Sequence, residues 1–173
     1  MSYILGIDPG VTGAYVILSK KKKRIKVCKL FTSFEEVLED ITPYLRKLVA
    51  CVEKVSGNRA MSPKAMTTFL KNAGAWEGFL IALKIPYTFA SPSVWPKKIF
   101  DVQPPRKTTV GVNPKQLRRA QAENRKIKKL HTTSFVLRTL PKSKKYLKLK
   151  KDQDKADAIC IALYKRKQMG YND

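Results

Sequence analysis

Four carboxylates in this chain stand where carboxylates can do chemistry: Asp8, Glu53, Asp154 and Asp157. Asp8 closes the strand-forming run Tyr3-Ile4-Leu5-Gly6-Ile7, and Pro9-Gly10 breaks the chain directly after it. Glu53 closes a second apolar run, Leu48-Val49-Ala50-Cys51-Val52. Asp154 and Asp157 are three residues apart at the head of an apolar helical stretch, so they are neighbours on one side of its first turn. Each acid has a plainer reading on its own. Asp8 can cap the turn after its strand, Glu53 can pair with Lys54, and acids in a first helical turn suit the helix dipole. Together they point to a site. Like charges a few ångströms apart do not all stay ionised unless a cation lies between them. An all-oxygen ligand set favours a hard divalent ion, Mg²⁺ or Mn²⁺. Two such ions about 3.5–4 Å apart can activate a water and hold the leaving oxygen in an in-line phosphodiester displacement.

The rest of the composition narrows the chemistry further. The three cysteines, Cys28, Cys51 and Cys160, lie in apolar stretches without a CxxC, and His131 is the single histidine. A Cys/His zinc site is therefore excluded, and the cysteines read as core residues of a protein kept in a reducing compartment: a bacterial, phage or viral cytoplasm, an organelle or a nucleus. No serine or threonine has a partner base other than His131, which reads as an ordinary helix residue. With 36 Lys and Arg against 13 Asp and Glu, the chain carries +23. A surface so charged expects a polyanion as its neighbour, and nucleic acid is the foremost candidate. A length of 173 residues fits a single domain over residues 1–173. No apolar run approaches the roughly 18 residues that span a bilayer, and the first residues lack a signal-peptide pattern, so no membrane partner is expected.

These acids need elements to position them. Tyr3–Asp8, Gly13–Leu18 and Ile25–Phe31 read as three antiparallel strands, the last two joined by a lysine-rich turn. Ser33-Phe34-Glu35-Glu36 has the form of a capping box, opening a helix to about Lys47 that bends or restarts at Thr42-Pro43. Leu48–Glu53 is a strand covered on both faces. Ser62-Pro63 suits the start of a helix reaching about Lys84. Within it Gly74 and Gly78 lie four apart on one face, read first as close packing in the core and second as a subunit interface. Ile85–Ala90 is another strand, and the short helix that follows is expected to bend at Pro96. Asp101–Pro114 reads as a loop, Lys115–Leu140 as a strongly basic helix, and Pro141–Lys151 as a lysine-rich linker before the final helix. Lys97, Lys98, Arg106, Lys107, Lys115, Arg118 and Arg119 are the expected DNA-binding cations.

Three motifs in order carry a family resemblance: a strand leading into Gly6-Ile7-Asp8-Pro9-Gly10 and Thr12-Gly13, a strand ending on Glu53 about 45 residues on, and Asp154-Lys155-Ala156-Asp157-Ala158 opening a final apolar helix. The chain resembles the RuvC family of Holliday junction resolvases over nearly its whole length. It is similar in particular to the chloroplast and virus-like branch, through Ser91-Pro92-Ser93-Val94-Trp95-Pro96-Lys97-Lys98-Ile99-Phe100. The resemblance implies an α/β, RNase H-like fold, a mixed five-stranded sheet with helices on both faces. It implies a homodimer that cuts opposing strands of a four-way DNA junction. By position, Asp8, Glu53, Asp154 and Asp157 match the family's catalytic, metal-binding acids, with Asp152 as an alternative to Asp154. The chain departs from the bacterial pattern after Glu53, where Lys54-Val55-Ser56-Gly57-Asn58 offers no aromatic to wedge into a junction.

Two rival readings share some of these features. Actin-like and sugar-kinase ATPases have a first phosphate loop similar to Gly6–Gly13, but they need two such domains and further glycine-rich motifs, so no nucleotide cofactor is expected. A non-catalytic basic nucleic-acid-binding module would fit the charge equally well, and a nuclease of this type could also act on other branched DNA or on RNA–DNA hybrids.

Overall fold

The computed structural model describes residues 2–10, 12–21, 23–55, 63–100, 102–104, 113–149 and 152–171. The strands are β1 (Tyr3–Asp8), β2 (Ala14–Ser19), β3 (Ile25–Leu30), β4 (Leu48–Glu53) and β5 (Tyr87–Ala90). The α-helices are α1 (Phe34–Ile41), α2 (Pro63–Ala82), α3 (Trp95–Ile99), α4 (Pro114–Thr139) and α5 (Gln153–Gln168), with short 3-10 helices at Thr42–Lys47 and Pro141–Tyr146. The strands make one mixed sheet in the order β3-β2-β1-β4-β5. β1, β2 and β3 are antiparallel neighbours, while β4 runs parallel to β1 and β5 parallel to β4.

Strand periodicity divides the side chains between two layers. Leu5 and Ile7 of β1 and Ala50 and Val52 of β4 face α1 and α2, packing with Val37, Ile41, Trp76 and Leu80. Ile4 of β1 and Cys51 of β4 face the other way, toward Trp95 of α3, Val136 of α4 and the buried face of α5. Asp8 and Glu53 share the parity of Ile4 and Cys51, so both acids turn to the α5 side. Because β1 and β4 lie side by side in register, with Ile7 opposite Val52, the two acids emerge next to each other at the carboxyl edge of the sheet.

α5 reaches this edge because β1 lets it come close. A Cβ built on Gly6 would stand 2.4 Å from the backbone oxygen of Ala158 and 2.8 Å from the Cβ of Ala162. The sequence thus puts its smallest residues, Gly6, Ala158 and Ala162, where strand and helix touch. Gly6→Ala is expected to push the helix off the sheet at a cost of about 2 kcal/mol, which lowers the melting temperature by about 4–8 °C in a domain this size. Thermal denaturation checks this, and an unchanged midpoint would mean that the contact is slack. Gly13 has a backbone need of its own: its φ is +36°, and an added Cβ would lie 3.0 Å from the carbonyl oxygens of Asp8 and Gly10.

Local signals act mostly as expected. Ser33 Oγ accepts from the Glu36 amide, one half of a capping box. The Glu36 carboxylate takes Lys29 and Thr32 instead of turning back to the cap. At Thr42-Pro43 the helix becomes a 3-10 turn rather than continuing. Asn113 and Gln116 form a complete capping box at the head of α4. Pro96 does not bend a helix. It sits in the first turn of α3, where its missing N–H costs nothing. The stretch after Pro141 is not a plain linker, since Pro141–Tyr146 is helical and Tyr146 and Leu147 pack against the core. Among the described residues, Gly74 and Gly78 are not close-packed: nothing lies within 4 Å of a Cβ added at either. Ser62 and most of the loop expected between Asp101 and Pro114, including Arg106 and Lys107, lie outside the described residues. The three cysteines are buried and free. Among the described residues, no helix is long and apolar enough to cross a membrane.

Candidate metal centre

Three of the four sequence-predicted acids converge. One carboxylate oxygen from each of Asp8, Asp154 and Asp157 lies within 4.8 Å of the others. Asp8 is held by the end of β1 and by the turn after it, where the Gly10 amide donates to its Oδ1 at 3.1 Å. Asn72 of α2 in turn donates to the Gly10 carbonyl at 3.3 Å, tying that turn to the helix layer behind it. Asp154 lies in the first turn of α5 and Asp157 three residues further along it, and Thr12 donates its hydroxyl proton to Asp154 Oδ2. Glu53 stands at the end of the neighbouring strand, outside that triplet. Its Oε1 accepts the indole N–H of Trp95 at 2.8 Å. It is still near enough for its charge to act on both Asp8 and Asp157.

The electrostatics follow from this crowding. Burial, and then the charges of Glu53, Asp157 and Asp154, push the Asp8 carboxyl well above its ordinary range, against the one Gly10 hydrogen bond that favours ionisation. Asp157 is pushed up to about 7, mainly by burial. Lys128 and Lys129 pull it down, and Glu53 and Asp154 push it up. Asp157 Oδ1 is buried and has no hydrogen-bond partner among the described residues. Lys128 and Lys129 offset only part of this crowding, since burial and the neighbouring acids still hold Asp157 high, and an oxygen left unpaired in a buried position is costly. A cation among them answers both needs. The donor set is all oxygen, which fits Mg²⁺ or Mn²⁺.

Asp152, the alternative third acid, is occupied elsewhere. Its Oδ2 accepts the amides of Lys148 and Leu149 at 3.0 and 2.8 Å, and its Oδ1 pairs with Lys155 at 2.9 Å. Its work is to shape the entry to α5. The expected DNA-binding cations divide by position. Lys115, Arg118 and Arg119 are exposed on the first turns of α4. Further along the same helix, Lys128 is near enough for its charge to act on Asp157. At 1.5 Å per residue these first turns stand about 14–20 Å along the helix from Lys128. Lys97 and Lys98 are exposed on α3. The Lys98 carbonyl accepts from the side chain of Lys167 on α5, which ties α3 to that helix. His131 packs edge-on against Phe100 and takes no part. A groove of about 840 Å³ lies at the opposite end of the sheet, among Lys23, Arg24, Leu140, Lys142 and Tyr146. Among the described residues no carboxylate lines it.

Two contributors to the site were not singled out from sequence. Trp95 reads there only as part of the Ser91–Phe100 stretch that carries the branch resemblance, and Lys128 as one basic residue among many. The signal for Trp95 is general: a buried indole N–H requires an acceptor.

The sheet order, the mixed strand directions and the helices on both faces make this an RNase H-like fold of the RuvC type. Two solved structures share it over almost their full length. Thermus thermophilus RuvC in complex with Holliday junction substrate superposes with a TM-score of 0.59 at 17% identity, covering 98% of this chain and 97% of that one. A second Thermus thermophilus RuvC structure gives 0.60 at 16% identity, with 97% and 96% covered. No family model matches the chain, and no curated protein matches it in sequence.

Proposed function

We propose that this chain is a metal-dependent endodeoxyribonuclease that resolves four-way DNA junctions by paired phosphodiester hydrolysis. The observation that carries this reading is the convergence of Asp8, Asp154 and Asp157 at the sheet edge, with an unpartnered oxygen on Asp157, in a chain of net charge +23. Asp8, Asp154, Asp157 and Glu53 are the residues that would hold Mg²⁺ or Mn²⁺, two ions per site. When bound, such ions supply an activated water and neutralise charge building on the scissile phosphate. The protein's own part is positional. β1 and β4 fix two acids on stiff backbone, α5 adds two more, and the cationic first turns of α4 offer phosphate contacts farther along the DNA.

A junction has two-fold symmetry, and a homodimer would match it. The face of α2 supports this. Leu70 and Ile81 are 51% and 59% exposed and flank Gly74 and Gly78, leaving a flat apolar strip open to a second copy.

The test is a four-way junction labelled on each strand in turn and incubated with Mg²⁺ or Mn²⁺. The expected result is symmetric nicks on two opposing strands. Tight binding with no cleavage in either metal would replace the nuclease with a binding module, and cleavage of flaps or RNA–DNA hybrids in preference to junctions would move the substrate.

A further inference from the structure

Trp95 opens α3 and is fully buried. Half of its surroundings are ordinary core: Phe100 packs against its ring at 5.8 Å between centroids. The other half is not. Its indole N–H points at the carboxylate of Glu53, 2.8 Å from Oε1. The ammonium of Lys128 stands 5.4 Å from the ring centroid. Lys128 is also the cation that acts most strongly on Asp157. One indole therefore touches the surroundings of two of the four acids, Glu53 through its edge and Asp157 through the lysine on its face.

We infer that Trp95 is a positioning residue of the acidic centre, whose N–H pins one Glu53 oxygen and whose ring seats Lys128 beside Asp157. This rests on reading the four acids as a cation site. A glutamate side chain has three rotatable bonds, and holding it for a ligand costs conformational entropy. A hydrogen bond to one carboxylate oxygen settles that orientation beforehand and leaves the other oxygen free to turn toward Asp8. Indole suits the task because it only donates. It cannot take a proton from the carboxylate or compete with it for the metal. The lysine matters differently. Its ammonium stands over the Trp95 ring while its charge acts on Asp157, and cation–π attraction to the ring helps hold it there. Outer partners of this kind commonly affect metal affinity by about tenfold or more when removed.

The test is Mn²⁺ binding by isothermal titration calorimetry on the full chain, without DNA and without turnover. Trp95→Phe keeps a buried aromatic ring and loses the donor. The expected result is an Mn²⁺ affinity weakened about tenfold, with the melting temperature of the metal-free protein nearly unchanged. In a Glu53→Gln background the same Trp95→Phe change should have little further effect, because the residue it acts through is already altered. Should Trp95→Phe fold poorly, benzothienylalanine at position 95 keeps the indole's shape without its N–H and is expected to behave the same way. Wild-type affinity in either variant, or a full additional loss on top of Glu53→Gln, would reduce Trp95 to packing. Equal Mn²⁺ binding by wild type and Asp8→Asn is a separate failure, overturning the cation site itself.

Discussion

Asp8→Asn is expected to slow junction cleavage by roughly 10³-fold or more, about 4 kcal/mol of barrier, while junction binding stays level or tightens. The two halves of this result have different causes. Asparagine keeps an Oδ1 that can accept the Gly10 amide, so the turn after β1 survives. What it removes is one negative charge from a group of three whose oxygens lie within 4.8 Å. A divalent ion held by carboxylates loses much of its attraction when one becomes neutral. Binding responds in the opposite sense, because a phosphate approaching the cleft meets one fewer like charge. Gel cleavage assays and fluorescence anisotropy at fixed salt separate the two. Asp152→Asn is the control: its carboxylate serves Lys148, Leu149 and Lys155, so cleavage should persist while thermal stability drops. Near-normal turnover by Asp8→Asn, or loss of turnover with Asp152→Asn in a folded protein, would remove the basis for the metal site.

That control also shows where the sequence was legible and where it was not. Asp8 could be read because strand-forming residues run into it and Pro9-Gly10 stops the strand at once. Glu53 repeats the pattern, and the parity of both strands then decides which face the acids take. Asp152 and Asp154 could not be told apart by spacing, since both open the same helix. Their difference is made by backbone amides at Lys148 and Leu149 that fold back only in three dimensions. The Trp95–Glu53 bond spans 42 residues and joins two different elements, so no local pattern announces it. Gly74 and Gly78 were read first as close packing in the core, and that was wrong: spacing puts both on one helix face but does not say what covers it, and among the described residues nothing does. Pro96 was misplaced because a proline in the first helical turn and a proline that kinks a helix differ by only a few residues. The helical turn at Pro141–Tyr146 was hidden by its lysines, which stay in solvent while Tyr146 reaches the core.

The metal-free protein is expected to lose stability as pH rises from about 5 to 8, and Asp157→Asn is expected to regain it. An aspartate in the unfolded chain ionises near 3.8, whereas burial holds the Asp157 carboxyl at about 7 and Asp8 well above its ordinary value. Between those limits the folded state keeps protons that the unfolded state has released, so protons favour folding. The stabilisation is complete below about pH 4 and is lost as pH climbs through 7. Glu36, held low chiefly by Lys29, works in the opposite direction. So does Asp152, held low by Lys155 and the Leu149 amide although burial alone would raise it. Both ionise below the ordinary range, so their contributions no longer change above pH 5. At pH 8 the buried charge of Asp157 is opposed by its attraction to Lys128, but burial is the larger influence. Replacing it with a neutral amide should therefore raise stability on the order of 2 kcal/mol after discounting for residual solvent, or about 4–8 °C in melting temperature. Scanning thermal denaturation in chelator from pH 5 to 8 reads the slope. Adding Mg²⁺ should flatten it in the wild type, with its largest gain at pH 8, and should do little for Asp157→Asn. A wild-type midpoint that climbs steadily toward pH 8 in chelator, or an Asp157→Asn variant less stable than wild type there, would mean that the acids at the sheet edge are not in conflict with one another and need no cation between them.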